Sequence, residues 1–201
     1  MPGNTPRAGT DLQPPPSPEL QPWTVLSRRT LVADRWLRLH VDQVRTGRGV
    51  VLDTFYVIGE ADWACAVPVL ADGRIVVVEQ FRHGVQTVTW ELPAGDLDAG
   101  EDPATGALRE LREETGYVPR GEPQPLGAFW PEPSRNGSRG HCFLIPVAAD
   151  PGMAQPDAAE DIRLHLLDIA SVDAAIAAGK FAHAVHVAAV LLARAHMGRL
   201  S

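Results

Sequence analysis

The chain has 201 residues, of which 45% are hydrophobic and 21% are charged; this allows one sizeable core but not two large domains. Its formal charge is −7, from 18 basic and 25 acidic residues, which argues against a nucleic-acid partner held by phosphate neutralisation. Two cysteines exclude a disulfide scaffold, and no apolar run approaches the roughly 20 residues of a membrane span. The first ten residues lack the apolar segment of a secretory signal, so we expect a cytoplasmic protein with no membrane partner.

The N-terminal part of the chain divides into two regions. Residues 1–22 hold seven of the 18 prolines, which predicts a disordered or extended arm. Residues 23–60 are predicted to form a small antiparallel β-sheet domain. Its strands are predicted at 25–32, 37–44 and 50–58, where β-branched and aromatic residues are concentrated.

The rest of the chain, residues 61–201, is predicted to be a larger α+β domain. The Asp-Gly pair at 72–73 predicts a tight hairpin, and the unbroken apolar run at 75–78 predicts a strand buried on both faces. His183 and His186 are predicted to pack within the last helix, because no acid stands near them in the sequence. The predicted strands are 63–70, 74–81, 87–92, 126–130, 141–148 and 162–167, and the predicted helices are 103–115, 171–178 and 181–197.

One of these helices has clearly marked ends. Asp102 is a good N-cap residue, Pro103 suits the first helical position, and Gly116 suits the position after the last turn. At about 100° per residue, three carboxylates share one side of this helix. We call this side the acidic face, formed by Glu110, Glu113 and Glu114. Arg109 stands one turn before Glu113 and is predicted to pair with it.

The acidic face predicts a site for a metal ion and a phosphate. Eight acids fall within residues 91–114, and crowded carboxylates repel one another unless a cation binds among them. Hard divalent cations such as Mg²⁺ prefer carboxylate oxygens and often retain substrate phosphates as ligands. The alternative is a solvated acidic surface. The glycine-rich loop before the helix favours the metal site, because it lets backbone groups approach a bound ion.

The spacing of these residues resembles a known motif. The motif begins at Gly95 and reaches Glu101 after five intervening residues. After seven more residues come residues 109–117, which have the pattern REUXEEXGU. The whole stretch resembles the Nudix box, GX5EX7REUXEEXGU. The box is long and its two gaps are fixed, so the signal is specific. The resemblance implies the Nudix fold, an α/β/α sandwich with a mixed sheet, here preceded by the small antiparallel N-terminal sheet.

The flanking residues resemble one branch of this family, the ADP-ribose pyrophosphatases and nucleoside diphosphate sugar hydrolases. Residues 80–82 (QFR) and 91–95 (ELPAG) are similar to the segment that precedes the box in that branch, and Pro133 stands sixteen residues after Tyr117, as a proline of the branch does. The resemblance implies Mg²⁺-dependent hydrolysis, with Mn²⁺ as an alternative ion. The substrate implied is ADP-ribose or a related nucleoside diphosphate sugar, and the products are a nucleoside monophosphate and a sugar phosphate.

Two alternatives remain open at this point. One is a GDP-mannose-type sugar hydrolase, because the loop at 131–141 holds two arginines where the common ADP-ribose pattern has glycine and an acid. The other is a non-catalytic Nudix-fold module that binds a nucleotide without cleaving it. The complete set of box glutamates argues against this second alternative.

The resemblance also implies roles for individual residues. Glu160 in the late loop matches the general base of the branch, while Glu113 and Arg109 contribute to catalysis, Arg109 by orienting Glu113. The implied metal ligands are the Ala94 carbonyl, Glu110, Glu113 and Glu114. The implied substrate-binding residues are Arg82, Trp36, Pro133, Arg135 and Arg139. We also expect a homodimer in which the N-terminal sheet is exchanged and reaches the nucleobase of the partner's substrate.

Overall fold

The computed structural model describes residues 19–34, 36–59, 61–155 and 161–198. Most of the predicted arm, residues 1–18, therefore lies outside the described residues. The chain first forms an antiparallel sheet in the order β1-β2-β3, as predicted. Its strands are β1 (Thr24–Ala33), β2 (Arg38–Arg45) and β3 (Val51–Gly59).

A mixed seven-stranded sheet follows. Its main path runs β10-β5-β4-β9-β8, with β6 paired to β5 and β7 paired to β4. The β4–β9 pair is parallel and the other pairs are antiparallel. The strands are β4 (Trp63–Val69), β5 (Ile75–Arg82), β6 (Thr87–Glu91), β7 (Ala94–Asp96), β8 (Gln124–Phe129), β9 (Gly140–Pro146) and β10 (Arg163–Leu167).

Helices cover both faces of this sheet. They are α1 (Pro103–Thr115), α2 (Ile169–Ala177) and α3 (Ala184–Met197). Helix α1 packs on one face, where Leu111 and Val76 share a buried cluster, and α2 and α3 pack on the other face with Ile75 and Val77. Alternate residues of β5 thus enter different cores, which confirms that this strand is buried on both sides. The arrangement confirms the predicted α/β/α sandwich.

The ends of α1 are fixed as the sequence predicts. The Asp102 side chain accepts hydrogen bonds from the backbone N–H groups of Ala104 and Thr105, both at 3.1 Å. Gly116 has a φ of 71°, a conformation that glycine adopts without steric cost. These two caps fix the helical register, and with it the direction of the acidic face.

Several strand and helix ends shift by one or two residues from the sequence-based prediction, and two elements differ more. Strand β7 was not predicted, because three residues are too few to show a periodic pattern; its pairing with Trp63–Cys65 defines it instead. Helix α3 begins at Ala184 rather than at 181. Lys180, before the helix, binds the neighbouring sheet instead. Its carbonyl accepts a hydrogen bond from the Trp90 N–H at 2.9 Å and so holds the end of β6.

The junction between the two sheets is built by backbone bonds. The Ile58 N–H donates to the Arg135 carbonyl at 2.8 Å, and the Ile58 carbonyl accepts from the Gly137 N–H at 3.1 Å. On the other side of the junction, Asp62 accepts a hydrogen bond from the Arg139 N–H at 2.9 Å. None of the described helices is long and apolar enough to cross a membrane.

His186 is the most deeply buried titratable residue of α3. Its side chain is 2% exposed, and its Nδ1 accepts a hydrogen bond from the Leu92 N–H at 3.2 Å. Desolvation, followed by the nearby His183 and Arg82, lowers the pKa of His186 to about 3, although Glu91 acts in the opposite direction. The ring is therefore neutral in the folded protein at any ordinary pH.

This burial predicts a pH dependence of stability. An unfolded histidine binds a proton below about pH 6.5, whereas native His186 does not, so the unfolded state holds the extra proton. The free energy of unfolding should therefore fall between pH 7 and pH 5, by about 2 kcal/mol for this residue. This window lies above the range in which carboxylates titrate.

The measurement is urea denaturation of the wild type and His186→Asn at pH 7, 6 and 5. The variant should show a clearly shallower decline, because it has no imidazole at this position. His196→Asn, at the other end of the same helix, should decline as steeply as the wild type. Equal slopes for His186→Asn and the wild type would contradict the assigned burial of a neutral ring.

Candidate active site

The acidic face lies against strand β7. A Cβ atom at Gly95 would overlap the Glu110 carboxylate, so a larger residue at this position would displace that carboxylate from its place beside β7. Next to it, the Ala94 N–H donates a hydrogen bond to Glu114 Oε2 at 3.2 Å. Glu114 is 3% exposed and Glu110 is 9% exposed, whereas the Glu113 side chain is 46% exposed. Two buried carboxylates and one accessible carboxylate thus belong to the acidic face of α1, and Glu110 and Glu114 lie next to β7.

Arg109 holds these carboxylates together. Its Nη1 contacts Glu110 Oε1 at 2.5 Å and Glu113 Oε2 at 3.1 Å, which includes the pair predicted from the sequence. Its Nε and Nη2 donate to the two oxygens of Glu101, both at 3.0 Å, and Nη2 also donates to the Asp96 carbonyl at 2.9 Å. One planar guanidinium therefore joins the helix to the loop before it.

The charges around Arg109 stabilise its protonated form. Its pKa is raised well above the usual value, mainly by the hydrogen bond to Glu101; desolvation acts in the opposite direction, and the bond to Glu110 then adds to the increase. The same contacts partly neutralise the acidic face. Several carboxylates still share a single cation here, which leaves an excess of negative charge for a second cation to neutralise.

The donor chemistry of this region fits a hard divalent cation. Carboxylate oxygens and a backbone carbonyl are the ligands that Mg²⁺ prefers, and both occur where Ala94 meets Glu114. Within the described ranges, no three His, Cys, Asp or Glu side chains already converge as a coordinating group. In this structure Glu110 and Glu113 contact Arg109, and Glu114 contacts the Ala94 N–H.

A large cleft opens beside β7. It has a volume of about 600 Å³, and we call it the main cleft. Its walls come from β4, from the turn after β5, from β6 and β7, and from the start of α3. The lining residues are Trp63, Arg82, His83, Gly84, Val85, Thr89, Glu91, Ala94, Gly95, Asp96, Ala182, His183 and His186. The cleft thus runs from the loop beside the acidic face to the histidines of α3.

Arg82, a predicted substrate-binding residue, lies in this cleft. Its guanidinium forms a two-point ion pair with Glu91, with Nε–Oε1 at 2.9 Å and Nη2–Oε2 at 2.6 Å. Burial alone would raise the pKa of Glu91, but the hydrogen bonds from Arg82 and Thr89 and the charge of Arg82 lower it overall. The pair holds the Arg82 guanidinium at the cleft wall, where its side chain is 46% exposed.

Trp36, the predicted base-stacking residue, lines a second pocket. This pocket, which we call the Trp36 pocket, has a volume of about 370 Å³ and is also lined by Arg38 and Asp96. Trp36 is 71% exposed. Asp96 lines both cavities; its side chain is exposed, yet the surrounding protein desolvates it enough to raise its pKa. Asp96, at the end of β7, therefore borders both cavities.

The other predicted substrate-binding residues do not line the main cleft. Pro133, Arg135 and Arg139 are exposed residues of the loop between β8 and β9. Arg139 is held by Asp62, with Nη2–Oδ2 at 3.1 Å. The Arg135 backbone is bonded to the end of β3. This loop is thus attached to the N-terminal sheet rather than to the acidic face.

Glu160, the predicted general base, lies outside the described residues. The described residues on either side of the gap are held by different elements. The Gln155 N–H donates to the Glu113 carbonyl at 2.8 Å, and Arg163 pairs with Glu79 in the β10–β5 ladder.

Sequence reasoning missed two features of the cleft. Arg82, Thr89 and Glu91 lie on one face of the β5–β6 hairpin, and a period-2 count along the two predicted strands would have placed them together. His183 and His186 do pack as predicted, with ring centroids 4.4 Å apart. The acid near these two histidines, Glu91, lies on strand β6, far from them in the sequence. No local sequence pattern could therefore reveal that they are close together.

Comparisons with known proteins agree with this architecture. Residues 61–186 match the NUDIX domain, and residues 23–58 match the nucleoside diphosphate sugar hydrolase N-terminal domain. The crystal structure of an ADP compounds hydrolase superposes with a TM-score of 0.80 at 20% identity, covering 92% of this chain and 99% of that chain. At this level of identity the superposition shows the fold alone.

Several curated relatives carry the name ADP-ribose pyrophosphatase, among them the following two. The protein of Bacillus subtilis (strain 168) is 43% identical over 82 residues, which is 39% of this chain and 44% of that protein. The protein of Mycobacterium tuberculosis (strain ATCC 25618 / H37Rv) is 43% identical over 93 residues, 45% of this chain and 44% of that protein. The matched segment spans less than half the length of either relative. The family match at residues 61–186, by contrast, covers more than half of this chain, and the protein therefore belongs to the NUDIX domain family.

Proposed function

We propose that this protein is a Mg²⁺-dependent hydrolase that cleaves the pyrophosphate bond of ADP-ribose or a related nucleoside diphosphate sugar. The products are a nucleoside monophosphate and a sugar phosphate. The observation that carries the proposal is the placement of the acidic face of α1 against Ala94 and Gly95, at the edge of the main cleft. The names of the two relatives support the choice of substrate class.

Four groups are proposed to hold the metal: the Ala94 carbonyl and the carboxylates of Glu110, Glu113 and Glu114. A bound Mg²⁺, or Mn²⁺ in its place, would supply neutralisation of the charge that develops on the phosphate oxygens. Arg109 keeps Glu110 and Glu113 near each other and links them to the loop at Asp96. Its role is to position the ligands.

The proposed reaction is attack of water on one phosphorus atom. The water oxygen bonds to that phosphorus, the bridging P–O bond breaks, and the bridging oxygen leaves with the other phosphate. Glu160 is proposed to take a proton from the attacking water, as a general base does. Arg82, held by Glu91, is proposed to contact the phosphates from the opposite side of the main cleft.

The two cavities suggest how the ends of the substrate are placed. Trp36 offers an exposed aromatic face in a pocket that shares Asp96 with the main cleft, so we propose that a nucleobase stacks there, which in the exchanged dimer is the nucleobase of the partner's substrate. The loop with Pro133, Arg135 and Arg139 is a proposed contact for outer parts of the substrate. Its attachment to β3 through Ile58 links substrate contact to the N-terminal sheet.

We also propose a homodimer with an exchanged N-terminal sheet. This sheet leaves large apolar side chains exposed, among them Trp23 at 51%, Val25 at 52% and Tyr56 at 50%. A three-stranded sheet with such side chains gains stability by packing on another surface. A second copy of the chain is the proposed partner.

The metal assignment predicts a large effect of Glu114→Gln. The amide keeps an oxygen that can accept from the Ala94 N–H, so the fold should remain intact, but one negative charge is lost. We expect kcat for ADP-ribose at saturating Mg²⁺ to fall by about 10²–10⁴. Glu122→Gln, an exposed residue beyond α1, is the matched control and should keep the wild-type rate. A near-normal rate for Glu114→Gln would refute the ligand assignment.

The base assignment predicts a separation of two properties in Glu160→Gln. The rate should fall by about 10²–10⁴, whereas the affinity for Mg²⁺, measured by calorimetry, should stay within about twofold, since Glu160 is not one of the residues of α1. A loss of metal affinity in step with the rate would make Glu160 a ligand. An unchanged rate would place the base elsewhere, with Glu113 and Asp161 as the next candidates.

The dimer proposal predicts the effect of two truncations. Removing residues 1–22 should leave the dimer mass and the activity unchanged, because the arm offers little surface to bury. Removing residues 1–58 should abolish both, because it deletes the exchanged sheet. Light scattering and ADP-ribose hydrolysis are the two readouts. A fully active monomer of the complete chain at nanomolar concentration would contradict the exchanged sheet and leave the metal chemistry standing.

A further inference from the structure

One wall of the main cleft is aromatic and uncharged; it consists of Trp63, His183 and His186. The Trp63 indole packs against the backbone of Gly140, where a Cβ atom would overlap the ring. The rings of His183 and His186 stand at steep angles to this indole, with their centroids 5.1 Å and 5.6 Å away. Desolvation lowers the pKa of both histidines, so both rings are neutral at neutral pH. The wall therefore offers apolar surface and polar atoms without a charge.

His186 contributes a hydrogen-bond donor to this wall. Its Nδ1 accepts from the Leu92 N–H, so the neutral ring carries its proton on Nε2. In the part of the chain that the structure describes, Nε2 has no partner. The fully buried side-chain polar atoms without a partner among the described residues are Gln124 Oε1 and His183 Nδ1, so Nε2 of His186 keeps an accessible surface. Because His186 is 2% exposed and lines the cleft, this donor points to a ligand that accepts a hydrogen bond there.

Carboxylates line the same cleft. Glu91 forms a two-point ion pair with Arg82, so these two charges largely cancel. Asp96 stands directly opposite Trp63 in the β4–β7 pair, which brings the two side chains to the same face of the sheet. The Asp96 carboxylate forms no ion pair with any described residue. The cleft thus combines the donor of His186 with carboxylate oxygens that accept hydrogen bonds.

The mixture of donor and acceptors selects the class of ligand. An oxyanion only accepts hydrogen bonds, and the Asp96 carboxylate would repel it. An ammonium group only donates, so it would leave the His186 donor without a partner. A hydroxyl group both accepts and donates, and the C–H face of a sugar ring can pack on the Trp63 indole. The lining therefore fits a neutral, hydroxylated ring.

Strand β7 links this cleft to the proposed metal site. The Glu110 carboxylate lies against β7 at Gly95, and Ala94, Gly95 and Asp96 all line the cleft. Among the described strands only β4 pairs with β7, so the other edge of β7 is open to a substrate. A substrate that lies along this open edge can place its phosphates at the acidic face and an adjacent sugar ring in the cleft.

We propose that the main cleft holds a sugar ring of the substrate and that His186 Nε2–H donates a hydrogen bond to one of its hydroxyl groups. The ring belongs either to the nucleoside half or to the sugar phosphate half, since both carry a hydroxylated sugar next to a phosphate. That the sugar is joined to a pyrophosphate rests on the proposed function. The hydroxyl site itself rests on the lining of the cleft.

The test is an NMR titration of the ¹⁵N-labelled full chain in the presence of Mg²⁺, which follows the ring nitrogens of His186. The spectrum of His186→Asn identifies these signals by their absence. Ribose 5-phosphate and AMP are the two sugar probes. At least one of them should shift the Nε2 signal, and the probe that does so identifies the half of the substrate that enters the cleft.

Two matched control compounds lack the hydroxyl groups. Methyl phosphate is the control for ribose 5-phosphate, and 2′,3′-dideoxy-AMP is the control for AMP. Neither compound should shift the Nε2 signal, because each keeps the phosphate and loses the groups that accept from His186.

Two substitutions at position 186 separate the donor from the packing role. His186→Asn keeps an oxygen that can accept from the Leu92 N–H but removes the Nε2 donor, so the sugar probe that shifts the signal should bind about 10-fold more weakly by calorimetry. His186→Gln places an amide donor where Nε2 stands and should bind the same probe within about threefold of the wild type, even if its melting temperature falls.

A control variant and a control ligand accompany these measurements. His196→Asn, at the far end of α3, should bind the sugar probe as the wild type does. Methyl phosphate should bind the wild type and all three variants equally, because it has no hydroxyl group to place in the cleft.

Each result counts for or against the hydroxyl site. An unmoved Nε2 signal with both sugar probes, an equal shift by the matched control compounds, or wild-type affinity of His186→Asn for the sugar probe would each overturn it. A response of His186 in a protein that cleaves no nucleoside diphosphate sugar would uphold the site and remove the proposed function. Hydrolysis without any response of His186 would uphold the proposed function and remove the site.

Discussion

The close approach of Gly95 to Glu110 is the contact on which the rest of the site depends. Strand β7 pairs with β4, and α1 packs on the same region of the sheet through Ala107 and Leu111. Because no Cβ stands between β7 and the helix, the acidic face meets the backbone directly. A side chain at this position would displace the Glu110 carboxylate, and the carboxylates would lose their common orientation. Gly95 thus leaves space for the carboxylates of α1 beside the backbone of β7, where they form the candidate active site.

Electrostatics then explains the density of hydrogen bonds around Arg109. Buried carboxylates in contact are unfavourable unless they are paired, and this guanidinium contacts Glu101, Glu110 and Glu113. It cannot satisfy all of their oxygens. The remaining negative charge and the carbonyl-bearing loop beside it make the region suited to a divalent cation and, through it, to phosphates. On the other side of the cleft, Arg82 is held by an ion pair with Glu91.

Local signals predicted much of this structure. The caps at Asp102 and Gly116, the pair of Arg109 with Glu113 and the strand buried on both faces all follow from short-range rules, and the structure has each of them. Strand β7 could not be predicted, because only its pairing partner defines it. To predict the Arg82–Glu91 pair, the register of the β5–β6 hairpin had to be known. The environment of His186 could not be predicted from local signals, because it is formed by two elements that lie nearly one hundred residues apart in the chain. The hydrogen bond from Leu92 to His186 shows this contact.

Hydrolysis of a nucleoside diphosphate sugar by this acidic face is tested most directly with the purified wild-type chain and Mg²⁺. ADP-ribose, ADP-glucose, UDP-glucose and GDP-mannose would be incubated separately, and the products separated by anion-exchange chromatography. We expect a nucleoside monophosphate and a sugar phosphate in equal amounts from at least one substrate, and none when the metal is chelated. Binding of these compounds without cleavage of any of them would contradict the proposed function and would be typical of a nucleotide-binding module.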